Sequence, residues 1–254
     1  RGLIFSPLEL YKILRKIMKK VLWLLALLNL ILPSCGNENS GVVNAQAVEE
    51  TTQMKVARGV AEQLWTTSPL QYPFDKNRIS VFEEIQNMAD ACSADFFTSY
   101  LTCSDKAAEM REKYETMLAF YRLSFDHVLQ AIKEDHVEKG TACIWNLYNM
   151  GYIVKTPSVC FGIDINHRWA WKLEPYLDFL CITHNHRDHQ DAALIEAMLK
   201  AQKPVFSNFI EKGNMSKVPT DYQVKNVKVH VSITDHNNSG MLNNFVSVFT
   251  FECG

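Results

Sequence analysis

The chain has 254 residues, room for one large domain or two small ones, and its 47% hydrophobic content is ample for a core. Residues 1–34 carry six of the 26 basic residues (Arg1, Lys12, Arg15, Lys16, Lys19, Lys20) but only Glu9 of the 28 acidic ones, so the net charge of −2 hides a body with 20 basic against 27 acidic groups. A body that acidic repels a phosphate backbone, and nucleic acid is not expected as a partner.

The first element is a targeting segment. Lys19-Lys20 precedes an apolar run over 21–32, then Pro33-Ser34-Cys35-Gly36. A positive start, a short apolar stretch and a small-residue boundary make a secretory signal, and the run falls short of the about 20 residues that span a bilayer. Leu32-Pro33-Ser34-Cys35 resembles a bacterial lipobox, which implies lipidation at Cys35 and a membrane-anchored lipoprotein of the cell envelope. The polar Asn37-Glu38-Asn39-Ser40 beyond it argues against a buried helix. Met18 is the expected natural start, with residues 1–17 either upstream sequence or a long basic leader.

Residues 36–52 read as a linker and 53–139 as a helical region. Val56, Val60, Ala61 and Leu64 share one helical face, and Ser68-Pro69 and Tyr72-Pro73 interrupt the pattern. A second helix is predicted over 81–91 and a third over 104–133, where Met110, Tyr114, Met117, Leu118, Tyr121 and Leu129 form a packing stripe. His127 and His136 read as helix-surface residues. Export permits disulfides; Cys92 and Cys103 are the candidate pair, whereas Cys143, Cys160 and Cys181 lie in apolar runs as buried thiols.

After Gly140 the period changes. Strands are predicted over 141–147, 152–155, 159–165, 177–183, 204–207, 227–233 and 245–251, with an amphipathic helix over 191–201. Strands with an interposed helix indicate an α/β layered domain over 140–254.

The run Phe179-Leu180-Cys181-Ile182-Thr183 leads into His184-Asn185-His186-Arg187-Asp188-His189, three imidazoles and a carboxylate in six positions. Zinc, iron and manganese accept such ligands. His184 and His186 reach one side of an extended segment, and Asp188 and His189 turn toward a neighbouring position. Two ions held side by side activate water and polarise the bond it attacks.

The pattern HxHxDH after a Thr resembles the metal loop of the metallo-β-lactamase-like hydrolases, and residues 144–155 with Phe161-Gly162-Ile163-Asp164 resemble the opening strands of that family. The resemblance covers about 141–254. It implies an αββα sandwich, with His184, His186 and a third, later His on a first metal and Asp188 and His189 on a second. It also makes Asp188 the residue that orients the nucleophilic water. His236 has the third ligand's place; His230 competes but lies mid-strand. Asp164 reads as a carboxylate supporting the ligands. A bridging acid and a final His find no match before Gly254, so the sequence reads as the N-terminal half of the sandwich. Exposed apolar faces are then expected on the strands at 227–233 and 245–251.

The expected function is therefore a metal-dependent hydrolase, with one or two Zn²⁺ (or Fe or Mn), acting on a small-molecule ester, amide, lactone or phosphoester. The alternative is a non-catalytic lipoprotein binding module, or an inactive fragment of such a hydrolase.

Overall fold

A computed structural model describes residues 50–67, 75–237 and 242–253. The leader, Met18, the lipidation candidate Cys35 and the Ser68-Pro69 and Tyr72-Pro73 breaks lie outside the described residues. Among the described residues five helices come first: α1 Thr52–Thr66, α2 Lys76–Asp90, α3 Phe96–Thr102, α4 Asp105–Tyr114 and α5 Thr116–Glu134. Three of them start on a side-chain cap. Thr51 accepts from Met54 N, Asp75 from Arg78 N and Ser104 from Ala107 N, each satisfying an amide that the first turn leaves open.

Asp75 explains why α2 begins five residues before the expected 81. The single helix expected over 104–133 is in fact two, because Glu115 is extended (φ −108°, ψ 113°). No Pro or Gly marks that break. Arg111 supplies a tertiary cause: its guanidinium ties Glu115 (2.5 Å) to the Phe96 carbonyl (3.3 Å) and the Ser99 hydroxyl (3.0 Å) of α3. Neither Cys92 nor Cys103 is bridged; each thiol donates to a carbonyl of the helix before it, Met88 and Tyr100 respectively. Cys160 and Cys181 are buried free thiols, whereas Cys143, near the sheet edge, is only partly covered.

The strands make two sheets. β1 Cys143–Tyr148, β2 Gly151–Lys155, β3 Cys160–Ile163, β4 Phe179–Cys181, β5 Val205–Ser207 and β6 Asn214–Met215 lie in sequence order. The β1–β2 and β2–β3 pairs are antiparallel, and the rest are parallel. A 3₁₀ segment, Ala170–Tyr176, precedes β4, and helix α6, Ala192–Lys200, links β4 to β5. The second sheet holds β7 Thr220–Val224, β8 Val227–Thr234 and β9 Val246–Cys253, all antiparallel. The two short strands β6 and β7 were not expected.

Between the sheets lies one apolar layer, with Phe161, Phe179, Phe206, Val227, Val229 and Val231 buried and Phe251 against them. On the other face of the first sheet, α5 and α6 pack through Leu118, Phe125, Ile132, Leu194 and Met198 onto Ile153, Leu180 and Val205. The described architecture is thus mixed α/β, helices followed by two stacked sheets, in the order helix–sheet–sheet. The outer face of the second sheet differs from expectation. Asp221, Gln223, Lys228, His230, Thr250 and Glu252 cover it, with Val248 as its exposed large hydrophobic residue. Strict alternation puts the polar set outside because the inner set already fills the inter-sheet core.

The helical region is tied into this core by polar groups as well. Buried Glu112 accepts from Tyr100 Oη (2.5 Å), Trp169 Nε1 (2.6 Å) and Arg122 (3.0 Å). His167 is enclosed between the rings of Tyr121 and Phe125, with centroids 3.8 and 4.5 Å away. It is an interior residue with no part in the metal loop.

Burial lowers the His167 pKa to about 3; the Tyr121 carbonyl opposes that shift and Arg122 adds to it. A histidine depressed in the folded state contributes stability that is complete above its unfolded pKa of about 6.5 and is lost as pH falls toward the folded value. Urea unfolding midpoints are therefore expected to fall between pH 6.5 and pH 4. His167→Phe, which keeps the ring stack, is expected to flatten that slope. An unchanged slope in the variant contradicts the assignment.

Candidate metal centre

β4 is buried on both faces, and its parallel neighbours β3 and β5 hold it at the middle of the sheet. A loop leaving such a strand starts from a fixed point. Two backbone bonds extend that anchorage: Ile182 N to Phe206 O (2.9 Å), and Ser247 N of β9 to Thr183 O (2.7 Å). The second joins the loop to the other sheet.

Asp164, immediately after β3, organises this loop. Its backbone is left-handed (φ 49°), which Asp tolerates better than most residues, and it is 5% exposed. The carboxylate accepts from Thr183 N (2.7 Å), Thr183 Oγ1 (2.7 Å) and His189 Nδ1 (2.8 Å). Proton counting then sets the imidazoles. Thr183 has one hydroxyl proton, and the carboxylate beside it can only accept. The hydroxyl therefore takes its own second bond as acceptor, from His184 Nδ1 at 2.9 Å. With Nδ1 protonated, the bare lone pair of His184 is on Nε2. By the same logic His189 gives its Nδ1 proton to Asp164 and leaves Nε2 bare, 3.9 Å from Asp188 Oδ2.

His184 Nε2 lies 2.9 Å from His186 Nδ1. His236, from the loop after β8, completes a trio whose ligand atoms all lie within 4.8 Å of one another. The ring centroids are 4.5, 4.7 and 4.8 Å apart. Three nitrogens on a tetrahedral ion at about 2.0–2.1 Å stand roughly 3.3 Å apart, so small side-chain rotations bring this trio onto one ion. Burial, reinforced by the charges of His189, His186 and His236, lowers the His184 pKa to about 4. Burial also lowers His186, with His236 beside it. Both are neutral at pH 7, the form a metal requires. For His189, burial pulls downward, but the Asp164 hydrogen bond and charge, together with Asp188, leave the net shift upward. The donor set fits a divalent transition metal.

His230 lies elsewhere. It is exposed on the outer sheet face, paired with Asp221 (2.5 Å) and opposite Thr250 across the ladder. Phe245 stands over the trio, its centroid 5.7, 5.2 and 5.9 Å from His184, His186 and His236. Its carbonyl accepts from Asn208 Nδ2 (2.7 Å). Neither Phe245 nor Asn208 had a signal in the sequence: Phe245 is brought in by the return of the chain to β9, and Asn208 stands at the end of β5.

No family model matches the sequence, and no curated protein matches it. Solved structures do resemble the chain. A protein of Parabacteroides distasonis, provisionally described as a metal-dependent hydrolase, is 16% identical, with a TM-score of 0.38 over 47% of this chain and 60% of its own. Igni18, a metallo hydrolase of Ignicoccus hospitalis, is 16% identical with a TM-score of 0.32, over 44% of this chain and 60% of that one. The metallo-β-lactamase fold protein YhfI of Bacillus subtilis is 14% identical with a TM-score of 0.32, over 46% of this chain and 53% of that one. The chain thus spans less than two thirds of each of these proteins.

Asp164→Ala removes the acceptor for three donors and puts Cβ in a left-handed backbone without compensation. A loss of about 2–4 kcal/mol is expected in urea unfolding of the metal-free chain. Asp164→Asn, which tolerates the backbone and keeps one acceptor, is expected to lose less. A loss in Asp164→Ala within about 0.5 kcal/mol, the range of an ordinary surface change, contradicts the role given to the carboxylate.

Proposed function

We propose that the chain is a metal-dependent hydrolase of the metallo-β-lactamase type, exported and held at the membrane by a lipid on Cys35. The observation that carries the enzymatic part is the convergence of His184, His186 and His236, with the tautomer of His184 set by Thr183 and Asp164. These three would hold one ion; Asp188 and His189 would hold a second, with fewer ligands and lower affinity. Zinc suits neutral imidazoles best, and iron or manganese are the alternatives. When bound, such an ion lowers the pKa of a water and polarises the bond to be broken.

The chain's own residues supply the rest. Asp188, its side chain 44% exposed, would orient the attacking water. Phe245 thins the water on one side of the trio, which strengthens electrostatic interactions there. The substrate class is an ester, amide, lactone or phosphoester of a small molecule.

Metal content by mass spectrometry tests the reading. The wild-type chain is expected to retain about one equivalent of zinc. His186→Ala and His236→Ala should each bind about a hundredfold more weakly or worse, and His230→Ala should match wild type. Failure of wild type to bind zinc overturns the hydrolase reading in favour of a non-catalytic binding module. Loss of zinc in His230→Ala, but not in His236→Ala, replaces the third ligand.

The anchor is tested separately. Among the described residues no helix is long and apolar enough to cross a membrane, and the proposed attachment is through Cys35 alone. Cys35→Ala should abolish acyl labelling and shift the protein from the membrane to the soluble fraction. Unchanged fractionation, with no acyl label on the parent, contradicts it.

A further inference from the structure

The alternation that turns His184 and His186 toward His236 sends Asn185 and Arg187 the other way, into a cleft of about 750 Å³. The metal loop, the start of α6, the 3₁₀ segment and the helical region at Leu101 and Asp105 enclose it. The charges on its walls are not equivalent. Arg168 is spent: its guanidinium donates to the Tyr100 carbonyl (2.5 Å), the Cys103 carbonyl (2.6 Å) and Asp105 (2.9 Å), which neutralises Asp105. Asp191 is turned back into α6, where it accepts from Leu194 N (2.8 Å).

Arg187 remains. Its carbonyl is pinned by Asn166 Nδ2 (2.6 Å), its side chain is exposed, and among the described residues no carboxylate is within ion-pair distance of its guanidinium. Trp171 lines the same cleft with 45% of its surface exposed. A planar cation without an ion-pair partner and a half-exposed indole, with the Lys172 ammonium 5.6 Å from its centroid, call for two different things in one ligand. The guanidinium matches an oxyanion bidentately, and the indole gains by covering with an apolar body. Inorganic phosphate has no apolar body to lay on Trp171, so the pairing of the two groups favours an organic carboxylate.

We propose that this cleft is a binding site for a small organic carboxylate with a flat apolar body, its carboxylate on Arg187 and its body on Trp171. The site is separate from the metal trio and does not rest on the hydrolase reading.

The test uses the full chain freed of metal by chelator, with the chelator then removed by gel filtration because it is itself a polycarboxylate. The Trp171 indole N–H resonance, assigned with Trp171→Phe, is followed during titration with 3-phenylpropionate, the neutral 3-phenylpropanamide, and inorganic phosphate. The carboxylate is expected to saturate with a Kd of about 1 mM or tighter. The amide, and the carboxylate on Arg187→Ala, should bind about ten- to hundredfold more weakly. Arg187→Lys should fall between, and Trp171→Ala should weaken binding several-fold, with spectral dispersion confirming that each variant is folded. Equal binding of amide and carboxylate, an unchanged Kd in Arg187→Ala, tighter binding of phosphate, or no saturable shift with 3-phenylpropionate each overturns the proposal.

Discussion

A single buried carboxylate does most to decide what this molecule can bind. Asp164 sits at the end of β3 and reaches across to the loop that leaves β4, where it takes three hydrogen bonds of 2.7–2.8 Å. Because it can only accept, it forces the Thr183 hydroxyl and His189 Nδ1 to be donors, and through Thr183 it protonates His184 on Nδ1. The nitrogens left bare are those that face His186, His236 and Asp188. Ligand orientation is thus prepared before any ion arrives, which lowers the reorganisation that binding costs.

The carboxylate can do this only if β3, β4 and β9 keep their relative positions. The inter-sheet layer of phenylalanines and valines fixes the first sheet against the second, and the Ser247–Thr183 backbone bond connects them at the site itself. On the opposite face, α5 fills the core beside α6 with Leu118, Phe125 and Ile132. The helical region is therefore part of the packing under the site. Arg168 and Glu112 show how closely it is fitted: each is a charged group withdrawn from solvent, Arg168 donating across the junction to Tyr100, Cys103 and Asp105, and Glu112 accepting across it from Trp169 as well as from Tyr100 and Arg122. Removing one member of such a network costs more than the pair contributes, because the other charge is left buried.

Chemistry concentrated in a short stretch was legible from residues alone. His184 and His186 stand two apart after a buried strand, and His236, which the fold brings to them, comes after a strictly alternating one. The layered α/β class was legible for the same reason, since periodicity changes at Gly140. What escaped detection depends on contacts distant in sequence. The break at Glu115 is held by Arg111 reaching back to α3. His167 and Arg168 look like loop residues in the sequence, yet aromatic rings from α5 and carbonyls near α3 enclose them. The short strands β6 and β7 exist because neighbouring strands pair with them, and their own composition is too polar to announce it. The outer face of the second sheet was expected to be apolar, and simple alternation made it polar.

His184, His186 and His236 are proposed to share one metal ion. X-ray absorption at the zinc edge of the chain loaded with one equivalent reads that shell directly. Scattering is expected from three imidazole nitrogens at about 2.0–2.1 Å, with a light oxygen or nitrogen atom as the fourth neighbour. A shell containing sulfur, or one with a single imidazole and the remainder oxygen, contradicts it.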